Sequence, residues 1–396
     1  MKPINSDIVI CGGGLSGLIC SLALSQTGVS ICCIDKTVKN LQNKKTDNRS
    51  TAYLIPSIKF LKDVGLWKHL SKNANPLKTL SIINSNNGFP YNNLISETKF
   101  NAKEIFQNEF GWNINNNETK KILLDLVKKN KLIKFFNNDE IINIEKHNEH
   151  LTICLKNNKK IETKLLIGAD GRNSFIRKNY DISVNLTELG QKVITFLVKH
   201  EYIHNDISYE IYNTGGPFTT VPLKTDKNNT SAVVWVDNTK NIDKLLKLDD
   251  EDFTKEVNRR SVNKLGAVNV ISKLQVFPVT TQLAEKFVDH RMILIGEAAH
   301  ALPPIGAQGL NLTIKDIKEI HDLLKKDLVN IGDGEMVSKF NIKRLLDIKI
   351  RSKSVDFLNK ISKSDELIIS KTRNFGLNFL GKVQPIKFLL MKFGLG

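Results

Sequence analysis

The chain has 396 residues, 41% of them apolar, and carries a formal net charge of +17 at pH 7. This length is sufficient for two or three substructures with cores of their own, and the apolar content excludes a disordered chain. The lysines are scattered along the whole sequence, and neither an aromatic-interleaved basic motif nor a zinc-ligand spacing is present, so we expect no nucleic-acid partner.

A glycine fingerprint follows the first predicted strand. The apolar run at residues 7–11 has the length and composition of a buried strand, and it leads directly into Gly12-Gly13-Gly14-Leu15-Ser16-Gly17. In this G-x-G-x-x-G pattern Gly12 permits the tight turn, Gly14 lets the backbone approach a pyrophosphate, and Gly17 lets the following helix pack closely on the strand.

The elements after the fingerprint complete a dinucleotide-binding unit. Residues 15–26 predict a largely buried helix whose N-terminus faces the phosphates, and residues 29–34 predict the next strand. Asp35 ends that strand, where an acid accepts hydrogen bonds from ribose hydroxyls. The alternative is a glycine-rich turn without a ligand. The pattern favours a bound dinucleotide, although it does not separate FAD from NAD.

A polar segment at residues 47–52 is predicted to open a helix over residues 56–70. Within it, Arg49 could reach a cofactor phosphate or the entrance for a substrate, and the alternative is a solvated arginine. Residues 77–91 then alternate as strands do, with a turn predicted at Asn86-Asn87-Gly88.

The next region predicts a helix at residues 119–129 and then a small meander. Its strands are expected at residues 141–145, 151–156 and 161–167. The last of them runs into Gly168-Ala169-Asp170-Gly171-Arg172, a second segment of the kind that contacts a cofactor.

Residues 193–236 are rich in predicted strands, which indicates a sheet inserted between two halves of the nucleotide-binding domain. A core strand returns at residues 291–295, a helix is predicted at 310–324, and the chain is helical from about residue 334. Between the strand and the first helix lies a Gly/Pro-rich stretch at residues 296–311. Three separated cofactor-like segments in one chain point to FAD held in an extended pose.

Together these segments resemble the flavoprotein aromatic hydroxylases with the p-hydroxybenzoate hydroxylase fold, and more narrowly the ubiquinone-biosynthesis hydroxylases. The resemblance covers nearly the whole chain. Its motifs are Gly12-x-Gly14-x-x-Gly17, Asp47-x-Arg49-x-x-Ala52, Ala169-Asp170-Gly171-x-x-Ser174-x-x-Arg177, Gly296-Glu297-Ala298-Ala299-His300 and Pro304-x-Gly306-Ala307-Gln308-Gly309-Leu310-Asn311.

The resemblance implies an α/β fold in which a Rossmann-like FAD-binding domain is interleaved with a β-sheet substrate domain and followed by a helical C-terminal region. We expect the FAD-binding domain at residues 1–75, 98–180 and 280–330. The substrate domain is expected at residues 76–97 and 181–279, and the C-terminal region at residues 331–396.

The resemblance also implies the chemistry. Members of this family reduce FAD with NADPH or NADH, let it react with dioxygen, and hydroxylate an electron-rich ring with the resulting flavin C4a-hydroperoxide. The flavin carries the difficult step, so no protein nucleophile is assigned as catalytic. Pro304 and Gly306 are expected to line the loop beside the flavin ring.

Cofactor-binding roles carry over position by position. Glu297 stands where the family usually has Asp, and Lys120 where it commonly has Gln or Arg. Asp170, Gly171 and Arg172 resemble the motif that contacts both FAD and the nicotinamide cofactor, and the backbone of residues 306–311 is expected to face the flavin pyrimidine. The full expected set is Gly12, Gly14, Gly17, Asp35, Arg49, Lys120, Asp170, Gly171, Arg172, Glu297, Gly306, Gln308, Gly309, Leu310 and Asn311.

The histidines are expected to be structural. His300 is predicted to pack and cap, with its ring satisfied by backbone. His200 and His204 share an i,i+4 spacing, but no third ligand is evident, so no metal site is expected.

The expected activity is hydroxylation of a polyprenylated phenol in ubiquinone synthesis, with a membrane surface or a ubiquinone-biosynthesis protein complex as partner. The alternatives are a hydroxylase of a small soluble phenol, a related flavin-dependent isoprenoid reductase, and a basic binding protein that retains an inactive nucleotide fold.

The cysteines and the apolar segments of the sequence predict where in the cell the protein is located. The five cysteines show no paired spacing, and neither a signal peptide nor a spanning apolar run is seen, so we expect a cytoplasmic protein, peripheral at the inner membrane face. The basic and apolar stretch at residues 375–393 would lie in a membrane interface, or else dock on the protein's own core.

Overall fold

The elements of the chain alternate between strands and helices. The computed structural model describes residues 2–36, 47–86, 93–213, 215–304 and 306–363, the side chains of 357–363 excepted. The strands are β1 (Ile4–Cys11), β2 (Ile31–Asp35), β3 (Ser50–Leu54), β4 (Asn75–Leu77), β5 (Thr79–Asn86), β6 (Asn93–Asn101), β7 (Gly111–Asn115), β8 (Ile133–Asn137), β9 (Ile141–Lys146), β10 (Leu151–Leu155), β11 (Lys160–Gly168), β12 (Val184–His200), β13 (Ile207–Tyr212), β14 (Pro217–Leu223), β15 (Thr230–Asn238), β16 (Val268–Val270), β17 (Gln275–Ala284), β18 (Val288–Asp289), β19 (Met292–Leu294) and β20 (His300–Ala301). The α-helices are α1 (Leu15–Ser25), α2 (Ile55–Asp63), α3 (Trp67–Leu70), α4 (Asn116–Lys129), α5 (Phe175–Asn179), α6 (Thr239–Leu245), α7 (Asp250–Arg260), α8 (Gln308–Lys326) and α9 (Gly334–Lys363).

The first sheet has the strand order β18-β19-β11-β1-β2-β8, with β9 and β10 joined to β11. The neighbours from β19 to β8 run parallel. Ile8, Val9 and Ile10 are fully buried, because a parallel sheet is covered on both faces and its strands are apolar without alternation. The meander predicted from the sequence is confirmed as β9-β10-β11.

The second sheet has the order β20-β17-β12-β15-β14-β13-β5-β6, with β16 beside β12. Its side chains alternate between two faces. One face, which includes Ile194, Phe196 and Trp235, packs with Phe253 and Val257 of α7 into a separate core. The opposite face is described with the site below.

The segment after residue 47 differs from the prediction. Ser50–Leu54 is the strand β3, which pairs antiparallel with β7 in a third sheet, β3-β7-β4. The helix expected over residues 56–70 ends at Asp63 and restarts at Trp67, because Gly65 takes a left-handed φ of +72° between the two parts. The predicted turn at Asn86-Asn87-Gly88 extends beyond the described residues.

The last described helix, α9, packs against α8 and the β18 region. In the ranges that the structure describes, no helix is both long and apolar enough to span a bilayer. The segment at residues 375–393, expected at a membrane or on the core, lies outside the described residues.

The predicted fold class is confirmed: an α/β sheet unit is interleaved with a strand-rich unit and followed by a helical region. The residue boundaries proposed for the domains stay a prediction. Strand β17 crosses the boundary placed at residue 280, and β20 joins the second sheet.

Candidate functional site

Four loops leave the first sheet at one edge. Cys11 at the end of β1 is level with Ile34 in β2 and with Gly168 at the end of β11, and Gly168 is level with Leu294 at the end of β19. Because these strands are parallel, the segments that follow them emerge side by side at the carboxyl edge, where sheets of this kind bind ligands.

The glycine fingerprint is tightly packed at two positions and open at the third. A Cβ on Gly12, whose φ is +117°, would lie 2.3 Å from the carbonyl oxygen of Ala169, and one on Gly17 would lie 1.8 Å from that of Gly12. A Cβ on Gly14 would meet no heavy atom within 4 Å. Gly12 and Gly17 therefore serve the close packing of the loop, whereas Gly14 leaves open space at the start of α1, where a phosphate fits.

Asp35 lies beside this loop. A Cβ on Gly13 would lie 2.3 Å from the Asp35 Oδ2 atom, so the carboxylate is held next to the glycine backbone at the end of β2. An acceptor at this place suits the hydroxyls of a ribose whose pyrophosphate lies on the α1 N-terminus.

Asp170 uses only one of its two carboxylate oxygens within the part of the chain that the structure describes. Its Oδ2 atom accepts a hydrogen bond from the Ile176 amide at 3.1 Å, while its Oδ1 atom is buried and has no hydrogen-bond partner among the described residues. A buried acceptor without a donor is costly. A hydroxyl of a bound cofactor would satisfy it. The next residue, Gly171, has a φ of +82° and open space around it.

Arg172 and Glu297 form an ion pair that joins the loop after β11 to the loop after β19. The Arg172 Nη2 atom lies 3.2 Å from Glu297 Oε1, and its Nη1 atom donates to the Thr280 hydroxyl of β17 at 3.3 Å. Both charged side chains are partly exposed, so solvent weakens the pair and leaves them available to a charged ligand.

The loop that carries Glu297 is held in place by the buried carboxylate of Asp316. Asp316 of α8 is fully buried and accepts hydrogen bonds from the Gly296 amide at 3.1 Å and from His300 Nε2 at 2.7 Å. Its other oxygen accepts from Arg344 Nε of α9 at 2.8 Å. Burial alone would raise the pKa of Asp316, but His300 and Arg344 outweigh it and hold this pKa below its usual range.

His300 is therefore structural, as predicted, but its partner is different. Backbone was expected to satisfy the ring, whereas the structure pairs it with the Asp316 side chain and packs it against Phe287. His200 ends β12 of the second sheet and His204 lies in the loop that follows, and the ring nitrogens of both are hydrogen-bonded within the protein. Burial lowers the pKa of both.

The Gly/Pro-rich stretch ends in the N-terminus of α8. Gly306 and Ala307 have left-handed φ values of +64° and +54°, and the helix begins at Gln308. The first amides of a helix, here those of Gln308, Gly309 and Leu310, have no carbonyl partner within the helix. Pro304 precedes this turn on the surface, and Ile305 lies outside the described residues. These amides and the helix dipole favour a partly negative group.

Asn311 has a protein partner at each end of its amide. Its Oδ1 atom accepts from the Leu54 amide at 2.9 Å, and its Nδ2 atom donates to the carbonyl oxygens of Ala52 at 2.8 Å and Ala307 at 2.6 Å. The side chain thus joins the start of α8 to β3. Asn311 lies in the first turn of α8 and its side chain binds within the protein, so the expected contact of its backbone with a cofactor stays a prediction.

The side chain of Arg49 lies between its own segment, residues 47–49, and the second sheet. It makes a two-point ion pair with Asp47, at 2.7 and 2.8 Å, and its guanidinium carbon is 4.9 Å from the centre of the Phe277 ring. The hydrogen bond with Asp47 raises the pKa of Arg49, and Glu297 adds to this effect. Lys120 lies one turn further along α4 than Asn116 and Asn117, whose side chains bind Asp47.

The residues fit FAD in several respects: the open space at Gly14, the unused acceptor of Asp170, and the amides at the start of α8. The residues that support these loops were not predicted from the sequence. Asp316, Arg344 and Thr280 hold the loops in place, yet they belong to ordinary helix and strand sequence. Only the spacing between His300 and a buried acid in the next helix could have indicated one of them.

Comparison with known proteins agrees with this geometry. The family model described as FAD binding domain matches residues 5–346. Ubiquinone hydroxylase UbiL of Rhodospirillum rubrum is 25% identical over 395 residues, which cover 99% of this chain and 90% of that protein. The 3-demethoxyubiquinol 3-hydroxylase of Escherichia coli is 23% identical and covers 99% of this chain and 98% of its own length.

Among solved structures, the p-nitrophenol 4-monooxygenase PnpA of Pseudomonas putida superimposes with a TM-score of 0.80 at 17% identity. The match covers 100% of this chain and 99% of PnpA. At that identity the likeness establishes the shared fold.

Proposed function

The chain belongs to the family described as FAD binding domain, and on that premise we propose that it hydroxylates the aromatic ring of a polyprenylated phenol on the route to ubiquinone. It is an FAD-dependent monooxygenase, the class to which the family match and the names of its curated relatives assign it. The observation that carries the finer proposal is the end-to-end match with two ubiquinone hydroxylases, which leaves no large part of the chain unmatched.

When bound, FAD reduced by NADPH or NADH supplies the activation of dioxygen. The residues of this chain would bind and orient it. Gly14 and the N-terminus of α1 would receive the pyrophosphate, Asp35 would accept a hydrogen bond from a ribose hydroxyl, and Asp170 would accept one from a cofactor hydroxyl through its Oδ1 atom. The amides at the start of α8 would stabilise negative charge on the reduced ring.

The second sheet offers an apolar wall for the substrate. On the face opposite its α7 core, Val193, Val236 and Val279 form a buried cluster, and Phe277 packs against it under Arg49. The same face is in contact with the 47–49 segment, since the Asn48 amide donates to Gln275 at 3.1 Å. A wall of this composition suits a prenylated ring better than a small polar phenol.

Thr195 places one polar atom in this wall. It is level with Val234 and Gln275 on the same face, and its hydroxyl is buried without a partner among the described residues. A phenol hydroxyl is a chemically suitable partner, because it both donates and accepts. We propose that Thr195 binds it.

We propose further that the reaction takes place at a membrane surface or within a ubiquinone-biosynthesis complex, since a polyprenylated substrate is itself confined there. The relatives' names support a ubiquinone intermediate as the substrate.

The test is to purify the protein and to follow NADPH and dioxygen consumption with and without a short-chain prenylphenol. The molecular mass of the product is then measured by mass spectrometry. The proposal requires substrate-stimulated turnover and a product with one oxygen atom added. Reduction of FAD without oxygen insertion would instead identify an isoprenoid reductase, and a preference for small phenols would identify a soluble-substrate hydroxylase.

A matched pair of variants tests the wall. Thr195→Val should raise KM for the prenylphenol about tenfold, the effect of one lost hydrogen bond. Thr220→Val is the control: its hydroxyl is also buried and unpartnered in the described protein, but it lies on the α7 face of the sheet. Equal effects from the two variants would argue against Thr195 as a substrate contact.

A further inference from the structure

Helix α9 exposes a row of aliphatic side chains. Ile342, Leu346 and Ile350 are 71%, 62% and 53% exposed. Spaced by four residues, they fall within an arc of about 80° on the helix surface. Single exposed aliphatic residues are ordinary on a protein surface, but an aligned row on one helix indicates a binding face.

Lysines share this side of the helix. Lys339, Lys343, Lys349 and Lys353 are all exposed, and by the geometry of the helix they lie within or directly beside the aliphatic row. Lys339 forms an ion pair with Glu335, and Lys343 with Glu319 of α8. The result is a face of three aliphatic residues bordered by four basic ones, which we call the α9 outer face.

The opposite side of α9 already serves the protein core. Phe340, Ile348 and Val355 are buried there, and Arg344 binds Asp316. Asp356 accepts a hydrogen bond from the Thr281 hydroxyl of β17 at 2.7 Å. The helix is thus fixed in orientation, and its outer face does not contribute to the core on which it is docked.

We propose that the α9 outer face docks on the surface of an anionic phospholipid bilayer. Helices with an aliphatic row bordered by lysines lie in the headgroup region, where the side chains reach the acyl boundary and the lysines bind anionic lipid. A second copy of the chain fits less well, because a symmetric contact would bring these lysines against each other. The net charge of +17 also favours an anionic surface.

The inference rests on the proposed function only for the reason to visit a membrane, namely a prenylated substrate. The contact itself needs neither substrate nor turnover. It extends the sequence-based expectation of membrane binding, which concerned residues 375–393, to a different surface.

The experiment measures binding of the full chain to vesicles of phosphatidylglycerol and phosphatidylcholine in equal parts, and to vesicles of phosphatidylcholine alone. The intact protein should bind the anionic vesicles. Ile342→Ser, Leu346→Ser and Ile350→Ser combined should weaken that binding roughly ten- to a hundredfold, and Lys349→Glu with Lys353→Glu should weaken it at least tenfold.

Val329→Ser is the control, since Val329 is 84% exposed but lies in the loop before α9. It should bind as the intact protein does. Circular dichroism and FAD content should be unchanged in every variant, because the substituted side chains are exposed. Full vesicle binding by the triple serine variant would overturn the proposal, as would a change from dimer to monomer, which would identify a second copy as the occupant. Vesicle binding without hydroxylase activity would sink the proposed function alone.

Discussion

The two loops that flank the candidate cofactor site are built on different principles. The first, Gly12 to Gly17, is held by its own backbone: Gly17 packs on Gly12, and Gly12 packs on Ala169, directly after the neighbouring strand β11. The second, Gly296 to His300, is held largely by side chains from other elements. Arg177 donates to the Ala298 carbonyl, and Asp316 of α8 binds the Gly296 amide and the His300 ring and is itself bound by Arg344 of α9.

This difference determines which substitutions damage each loop. A loop made of close backbone contacts is damaged by an atom added at the packed positions, Gly12 and Gly17. A loop held through a buried carboxylate depends on charges distant in sequence: Asp316 lies 16 residues after His300, and Arg344 lies 28 residues after Asp316. Helix α9 is therefore part of the support of the site.

Removal of the carboxylate should have the largest effect. Asp316→Ala leaves the buried Arg344 and His300 without their shared partner, and we expect it to lower the free energy of unfolding by about 3–5 kcal/mol. Urea unfolding followed by circular dichroism measures this. The double variant Asp316→Leu with Arg344→Met should cost less than the two single changes together. A loss below about 1 kcal/mol in Asp316→Ala would contradict the anchor.

The same carboxylate predicts a dependence on pH. His300 and Arg344 hold the pKa of Asp316 below its usual range, so the group contributes stability above its unfolded pKa of about 3.9 and loses it as the pH falls through the folded value. The difference in unfolding midpoint between the intact protein and Asp316→Asn should be full near neutral pH and should shrink below about pH 4. A difference independent of pH would mean that lost packing, and not charge, explains the variant.

Substitutions in the first loop should act through steric overlap. Gly17→Ala places a methyl group 1.8 Å from the Gly12 carbonyl oxygen, which the helix can relieve only by moving off the strand, at about 1–3 kcal/mol. Gly14→Ser adds atoms where none lie within 4 Å and supplies a favourable N-cap, so stability should hold. Both variants should bind FAD more weakly, as measured by quenching of flavin fluorescence. Unchanged FAD affinity in Gly14→Ser would show that the pyrophosphate lies elsewhere.

A smaller loss of stability is expected at Asn311, whose side chain joins the start of α8 to β3. Asn311→Ala leaves the Leu54 amide and the Ala52 carbonyl without their side-chain partner, at about 1–2 kcal/mol in the urea experiment. Gln308→Ala is the matched control at the same helix end, since its amide donates only within the loop, to Gly306. Equal losses in the two variants would remove the special role of Asn311.

The contrast also explains what the sequence could predict. The spacing of Gly12, Gly14 and Gly17 after an apolar run carries its own structural reason, and Asp35 follows from the length of one helix and one strand. The parallel strands then bring Gly168 and Leu294 to the same edge. Local pattern was sufficient for these parts of the site.

The rest depends on partners distant in sequence. Ser50–Leu54 forms a strand because β7 lies beside it, some 60 residues later, and a segment of five residues is too short for its periodicity to separate a strand from a helix. The pairing of Asp316 with His300 depends on how α8 packs beside the loop from Gly296 to His300. Local sequence pattern does not predict that packing.

The smallest expected effect concerns Glu297, which stands where the resemblance leads us to expect Asp. Glu297→Asp shortens the side chain and should break its 3.2 Å contact with Arg172, yet a half-exposed ion pair contributes less than about 1 kcal/mol, so stability should hardly change. FAD affinity is the sharper measurement. If the longer side chain mainly positions Arg172, then Glu297→Asp and Arg172→Gln should weaken FAD binding by the same few-fold factor, and the double variant should be no worse than either. If Glu297 itself binds the cofactor, the two losses should multiply. The first outcome would mean that the ion pair acts by holding a loop in place, as Asp316 does. The second would mean that Glu297 contacts the cofactor directly, as is expected of Gly14.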